Sequence, residues 1–487
     1  MNNTDARKDI RKMIGWITGG AAAALIIALI MVSPVIGIAD SGDFGRVLGI
    51  TGLKVLNPSE TYEQLYFNYA HQNFGYGGFT VGGYVSTHII LVALAGLLGR
   101  IINGEVFDIR VLGVCYSVFF IWALVLMVRN APKAENQRNT VILAAVMSLC
   151  LLFVFGDIGY LAYFQSFFGE PYALIAMLLM VASAIALAGS DRPSGKLLAL
   201  FVIAALAVAT SKIQNAPLGF AFALLAWRIY SLRSDMKWRR QALIGVAVLV
   251  LGSALMIIVA PDRLKNTNLY QSIFYGVLKG SSNVEKDMEE LGIPEKYAVL
   301  VGTNYFQKDI AIPQNDPVLR EEVLEKLSHK DIAMYYLRHP SRFIEKLDKA
   351  AANSMFIRPN YLGNYDQSVG KPPKTLNYKY SGWSQFKLKH MPRSLAFYVG
   401  LYVLYLAVLG TLWWRTASRR VRLVAETLAV VALAGVFSCI VPLIGDGEAD
   451  LGKHLFMFNV CFDMMGVSIV MGAVYGLLKL IERKRPI

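Results

Sequence analysis

Apolar runs of roughly 20 residues recur through both ends of this chain, each long enough to cross a ~30 Å hydrocarbon core. Inside a bilayer every backbone N–H and C=O must find its partner within the segment, so such runs fold as helices. Composition agrees, with 55% of the 487 residues hydrophobic and 17% charged, against roughly 25% charged in soluble chains. That balance excludes a string of soluble domains. The expectation is an all-α polytopic membrane protein. The formal charge of +14 does not call for a nucleic-acid partner, because much of the surplus lies in short clusters beside apolar runs. Anchoring on the cytoplasmic side accounts for such clusters. Cys115, Cys150, Cys439 and Cys461 all lie in apolar segments, with no CxxC and no His-rich spacing. They indicate neither a disulfide framework nor a zinc site.

Charge also sets the orientation. Arg7, Lys8, Arg11 and Lys12 precede the first apolar run, residues 13–37, which reads as an uncleaved span with its start inside. Further basic clusters surround Arg129, Arg192, Arg233, Arg419 and Lys484. All of them fall on the inner side if spans lie near 110–128, 140–156, 171–189, 197–211, 214–230, 242–260, 395–413, 423–443 and 453–478. The apolar stretch 84–100 would break this alternation. At 17 residues, opening with Tyr84, Ser86, Thr87 and His88, it is predicted to lie at the outer interface. The reading is about ten spans, both termini cytoplasmic, in a bacterial plasma membrane. Residues 1–260 form an N-terminal membrane module with an outer loop at 38–109. Residues 261–394 form a mixed, largely helical external domain, and 395–487 hold the C-terminal spans.

Polar residues at the mouth of a membrane bundle are costly, and each raises a functional question. Four places on the outer side stand out. The stretch IADSGDFGR carries Asp40, Asp43 and Arg46 just past the first span; a helix starting near Ser41 would put Asp43 and Arg46 on one face. FFGEP sets Glu170 before Pro171 at the outer start of a span. ATSKIQN holds Lys212 and Gln214 in a polar break between two short spans. GDGEADLGKHLF brings Asp446, Glu448, Asp450, Lys453 and His454 to the entrance of the last span. Carboxylates beside Lys and Arg suit transfer from a phosphate-linked donor. One carboxylate deprotonates the acceptor hydroxyl while cations neutralise the leaving phosphate. No Walker loop or HExxH motif is present.

The order of these parts resembles the GT-C superfamily of integral-membrane glycosyltransferases, which use polyprenyl-phosphate-linked sugars. Asp43-Phe44-Gly45-Arg46 is similar to the D-x-x-R part of a D-E-x-R motif that follows the first span, without the adjacent Glu. Phe107-Asp108-Ile109-Arg110 resembles the span that opens with a basic residue after juxtamembrane helices. Glu170-Pro171 stands where the superfamily more often has Asp-Pro. Thr210-Ser211-Lys212 looks like a T-x-K element, and Lys453-His454-Leu455 like the basic start of a late span. Within the superfamily, IADSGDFGR and residues 268–306 look like the WsfD-type bacterial surface-glycan hexose transferases.

The resemblance implies a hexose moved from a polyprenyl-phosphate donor to a cell-surface glycan or glycolipid on the outer face. Asp43 is expected as general base, with Arg46 holding it and Asp40 as the rival for that role. Lys212, Gln214, Lys453 and His454 are expected on the donor phosphate. Glu170, Tyr361, Asn364 and Tyr365 are expected on the acceptor. Besides these substrates, only membrane lipids are expected as partners. No cofactor is expected; a divalent metal at Asp40 and Asp43 is the less favoured alternative. Two other classes compete: a lipid-linked glycan flippase, and a non-catalytic glycan-assembly subunit. A flippase would carry charges through the bundle, whereas the interior spans hold few, Asp463 being an exception.

Overall fold

The structure, a computed structural model, describes residues 9–483. Arg7, Lys8, Lys484 and Arg485, counted above among the flanking charges, lie outside the described residues. The protein is an all-α polytopic membrane protein. Among the described residues eight helices are long and apolar enough to cross a membrane: Ile10–Met31, Arg110–Arg129, Gln137–Phe155, Glu170–Gly189, Met236–Ile258, Leu395–Arg415, Arg419–Asp446 and Phe456–Glu482. Two shorter apolar helices, Gly195–Ala209 and Leu218–Tyr230, stand where two further spans are expected. With 15 and 13 residues, they reach only ~20–23 Å at a rise of 1.5 Å per residue. The break between them is accordingly recessed, with Ser211 and Asn215 both buried.

Helix ends expected on the inner side gather on one face. Arg11 donates to the carbonyl of Ala131 at 2.7 Å, and Asn139 to the Glu482 carboxylate at 2.7 Å. Arg233 reaches the carbonyl of Pro193 at 2.9 Å, Arg228 pairs with Glu426 at 2.9 Å, and Arg420 pairs with Asp191. Glu170–Gly189 runs through the centre of the bundle with nearly every side chain buried. Arg419–Asp446, with 28 residues, is ~42 Å long and outreaches a ~30 Å core. That excess length carries Asp446 to the opposite face.

The helix His88–Ile102 has both ends on that opposite face. At its start, the Thr87 N–H donates to the Thr210 carbonyl at 3.0 Å and Ser86 Oγ to the Ser211 carbonyl at 2.6 Å. Near its end, Arg100 donates to the carbonyls of Gly52 and Gly77, both at 2.9 Å. Ile90, Leu94, Leu97, Ile101 and Ile102 are exposed along it, the apolar face of a helix lying at an interface. Gly52 and Gly77 flank a small antiparallel sheet for which the sequence reading assigns no strands. It pairs β1 (Leu53–Val55), β2 (Asn73–Tyr76) and β3 (Val106–Asp108) in that order. Another difference concerns the first helix after the first span. It begins at Gly45 and not near Ser41, because Asp40 draws the preceding residues into a turn.

The region 261–394 is not a free-standing body. Its first part has its own core, with Tyr270, Phe274, Tyr297, Leu319 and Tyr335 buried together. Its second part shares a core with the last three spans, where Ala350, Ala351 and Met355 pack with Tyr398, Leu443 and Phe458. A buried ion pair fastens this junction. Lys387, from the external helix Gly382–His390, is fully buried 2.7 Å from Asp463 of the last span. Tyr160 and Trp383 donate to the other Asp463 oxygen at 2.6 and 2.8 Å. Removing one partner strands the other charge in a low dielectric, at ~3–5 kcal/mol. Lys387→Met should therefore lower the thermal unfolding midpoint of the detergent-solubilised protein, and Lys387→Met with Asp463→Asn should recover much of the loss. An unchanged midpoint in the single variant would show that the pair does not hold the junction.

Candidate functional site

The four polar stretches meet at one end of the bundle. The first is a turn built by Asp40, whose Oδ1 accepts the N–H groups of Gly42 at 2.7 Å and Phe44 at 3.0 Å. Gly42 has φ of +98°, a conformation open to glycine at little cost. Phe44 is pinned edge-on against Phe167 and Phe168, with ring centroids 5.3 and 4.8 Å away. The turn leaves Asp43 half-buried and 3.1 Å from Arg46 at the start of the Gly45–Leu48 helix.

The second contributor is the entrance to the last span. Lys453, with a side chain only 4% exposed, bonds the Asp43 carboxylate. It also donates to Ser41 Oγ at 3.0 Å and lies 3.6 Å from Asp450. Its ammonium sits 4.7 Å from the Phe168 ring centre, within cation–π range. Next to it, His454 Nε2 lies 2.8 Å from Asp446 and Nδ1 lies 2.9 Å from Gln214 Oε1. Gln271, from the external region, donates to the remaining Asp446 oxygen at 2.9 Å.

Lys212 and Glu170 supply a second ion pair. Glu170 is buried, with one oxygen bonded to the Lys212 ammonium and Oε2 left without a partner in the protein. Gly169 lies against the Ser211 carbonyl and the Lys212 side chain, so the two breaks in the bundle close on each other. Lys212 is near enough to add to the field on Asp43, and Glu170 to the field on Lys453.

Asp40, Asp43, Arg46, Glu170, Lys212, Gln214, Lys453 and His454 thus belong to one neighbourhood. Tyr361 lines a cavity beside it, together with Asp450. Asn364 and Tyr365 take other positions. Asn364 is fully buried, donating to the Gly37 carbonyl at 2.8 Å while its oxygen accepts from Arg358 and from the Asn377 N–H. Its amide fastens the external region onto the exit of the first span. Tyr365 continues this seam, its carbonyl accepting from Ala70 and its hydroxyl from Asn377.

Electrostatics divides the carboxylates. Burial pushes Asp43 upward, but the Lys453 ammonium and the Arg46 guanidinium outweigh it and hold the carboxyl well below the usual range. Asp40 has no such cation in contact. Burial pushes it up to about 6, against the pull of the Phe44 and Gly42 N–H groups. Asp450 is also raised by burial, with Lys453 opposing. The two carboxylates around Lys453 overcome its own burial and keep the ammonium charged.

Sequence reasoning missed the partners of Glu448. Its carboxylate takes Lys346 at 2.7 Å, Lys349 at 2.9 Å and Lys279 at 3.1 Å. The lysines come from distant parts of the external region, and no local spacing announces them. Burial works against ionisation here, yet the bonds from Lys346 and Lys349 bring Glu448 down to about 2. A depressed folded-state value stabilises the fold above the unfolded value and loses that contribution as pH falls. Wild-type protein should unfold at a higher temperature than Glu448→Gln near neutral pH, and the gap should close between about 4.5 and about 2. A gap independent of pH across that window would remove the ionic explanation.

Comparison with known proteins places the chain. Among curated proteins and among solved structures, nothing matches. One family model does match, the YfdI N-terminal transmembrane domain, over residues 7–485. Its span takes in every helix of the bundle, the external region and all four stretches that build the site, and on that match the chain belongs to the YfdI N-terminal transmembrane domain family.

Proposed function

We propose that this protein is a membrane glycosyltransferase of the GT-C kind, moving a hexose from a polyprenyl-phosphate donor to a cell-surface glycan or glycolipid. The observation that carries the reading is the convergence of four separated stretches into one recessed cluster of carboxylates and cations. In this reading the termini are cytoplasmic, the membrane is a bacterial plasma membrane, and the cluster faces outward.

The reaction is a single inverting displacement. The donor phosphate enters between Lys453 and Lys212 and competes with Asp43 and Glu170 for their ammonium groups, as charge-assisted bonds to phosphate allow. Drawing Lys453 away frees Asp43, which then accepts the proton of the acceptor hydroxyl. The hydroxyl oxygen bonds the anomeric carbon, and the bond from that carbon to the phosphate oxygen breaks. The electron pair leaves with polyprenyl phosphate, stabilised by the two lysines. Arg46 keeps Asp43 oriented, and the free oxygen of Glu170 orients the acceptor. Gln214 and His454 brace the same wall.

A second reading makes Asp40 the base, because a carboxyl near 6 is better matched to proton transfer at neutral pH than one clamped by two cations. Turnover of a polyprenyl-phosphate hexose by the purified protein separates the readings. Asp43→Asn should reduce kcat by ~10²–10⁴-fold, the usual contribution of a general base, while donor binding survives. Lys212→Met should weaken donor use by roughly tenfold to a hundredfold, as a lost charge-assisted bond implies. An active Asp43→Asn with a dead Asp40→Asn would transfer the role to Asp40. So would an acid limb near pH 6 that disappears in Asp40→Asn. Movement of the intact lipid-linked sugar with no transfer in wild type would make the protein a flippase.

A further inference from the structure

We propose that the cavity between the external helix Pro340–Asn353 and the segment 448–452 is a saccharide subsite that takes a neutral pyranose unit. The cavity measures about 400 Å³, within the ~300–1,000 Å³ of small-molecule sites. Its role as the acceptor position rests on the glycosyl-transfer reading above; the binding of sugar in it does not.

The lining fits that ligand chemically. Phe356 and Tyr361 offer aromatic surface for the C–H face of a pyranose, while Lys349, Asn353, Asn360 and Asp450 offer donors and acceptors for its hydroxyls. Asn353 donates to the Lys349 carbonyl, which leaves its side-chain oxygen for a ligand. Glu448 also borders the cavity, but its charge is taken up by three lysines. With Asp450 facing Lys453 as well, the wall does not select an acidic sugar.

Two further observations point to an occupant. Tyr361 Oη and Asp450 Oδ1 are buried and have no hydrogen-bond partner in the protein. Such groups are rare in native folds and call for an explanation; a hydroxyl-bearing ligand would satisfy both. Asp450 also holds a left-handed backbone, with φ of +46°, a conformation that non-glycine residues adopt at a cost and that clusters at functional positions. Asp450 belongs both to the cavity and to the ion cluster. It lies 3.6 Å from Lys453, which bonds Asp43. Through Lys453 the cavity wall and the proposed base thus share one ammonium.

Saturation-transfer NMR on the full-length protein in nanodiscs tests this, using the methyl glycosides of glucose, galactose and mannose as probes. At least one probe should receive saturation from wild type. Asp450→Asn and Tyr361→Phe should each weaken that binding, Asp450→Asn by about tenfold as a lost bond to a charged group implies. Unfolding midpoints identify any variant that fails to fold, and Asn353→Ala, on the opposite wall, serves as a further probe of the same cavity. No saturation from wild type, or saturation unchanged in all three cavity variants, would overturn the subsite. Sugar binding that depends on these residues, in a protein that transfers no sugar, would uphold the subsite and remove the glycosyl-transfer reading.

Discussion

A nearly buried ammonium must find carboxylates, and at the mouth of this bundle Lys453 finds Asp43 and Asp450. Desolvating a charge costs several kcal/mol unless a partner repays it. The contact between Lys453 and Asp43 spans 410 positions in sequence, so it ties the turn after the first span to the entrance of the last span. Everything that shapes that turn serves the contact. Asp40 folds the backbone, Gly42 permits the bend, and Phe44 anchors it on Phe167 and Phe168. The same aromatic pair leads directly into Glu170 and its bond to Lys212. The two ion pairs are thus supported by one packed seam.

Hydrophobic length and flanking charge make most of the architecture legible in the sequence. A 20-residue apolar run has one solution in a bilayer, and the cluster at Asp43, Glu170, Lys212 and Lys453 follows from asking which polar groups share a face. The spacing of Asp43 and Arg46 yields their pairing, although through a turn and not through a helix begun at Ser41. That 84–100 does not run through the bundle is legible from its length and polar opening alone. Its contacts at both ends with the same face express that constraint in hydrogen bonds.

What the sequence concealed is long-range pairing. The strands β1 to β3 are three or four residues each, too short to show a period, and they form because Arg100 and the packed interfacial helix hold their edges. Lys387 is one of two lysines in its helix, and nothing local marks it as the one that the fold carries to Asp463. The lysines on Glu448 come from one helix, Pro340–Asn353, and from a turn at Lys279, and Asn364 gives no sign in sequence of its bond to Gly37. In each case the decisive partner lies dozens to hundreds of residues away, where neither period nor spacing carries information.

In the proposed function, Lys453 and Lys212 exchange their carboxylate partners for a lipid phosphate. Cryo-electron microscopy of the full-length protein with a bound polyprenyl phosphate tests it directly. Phosphate density is expected within hydrogen-bonding distance of both ammonium groups, with Lys453 withdrawn from Asp43 and Asp40 still closing its turn. Phosphate density elsewhere on the protein, with the Lys453–Asp43 and Lys212–Glu170 pairs intact, would contradict it.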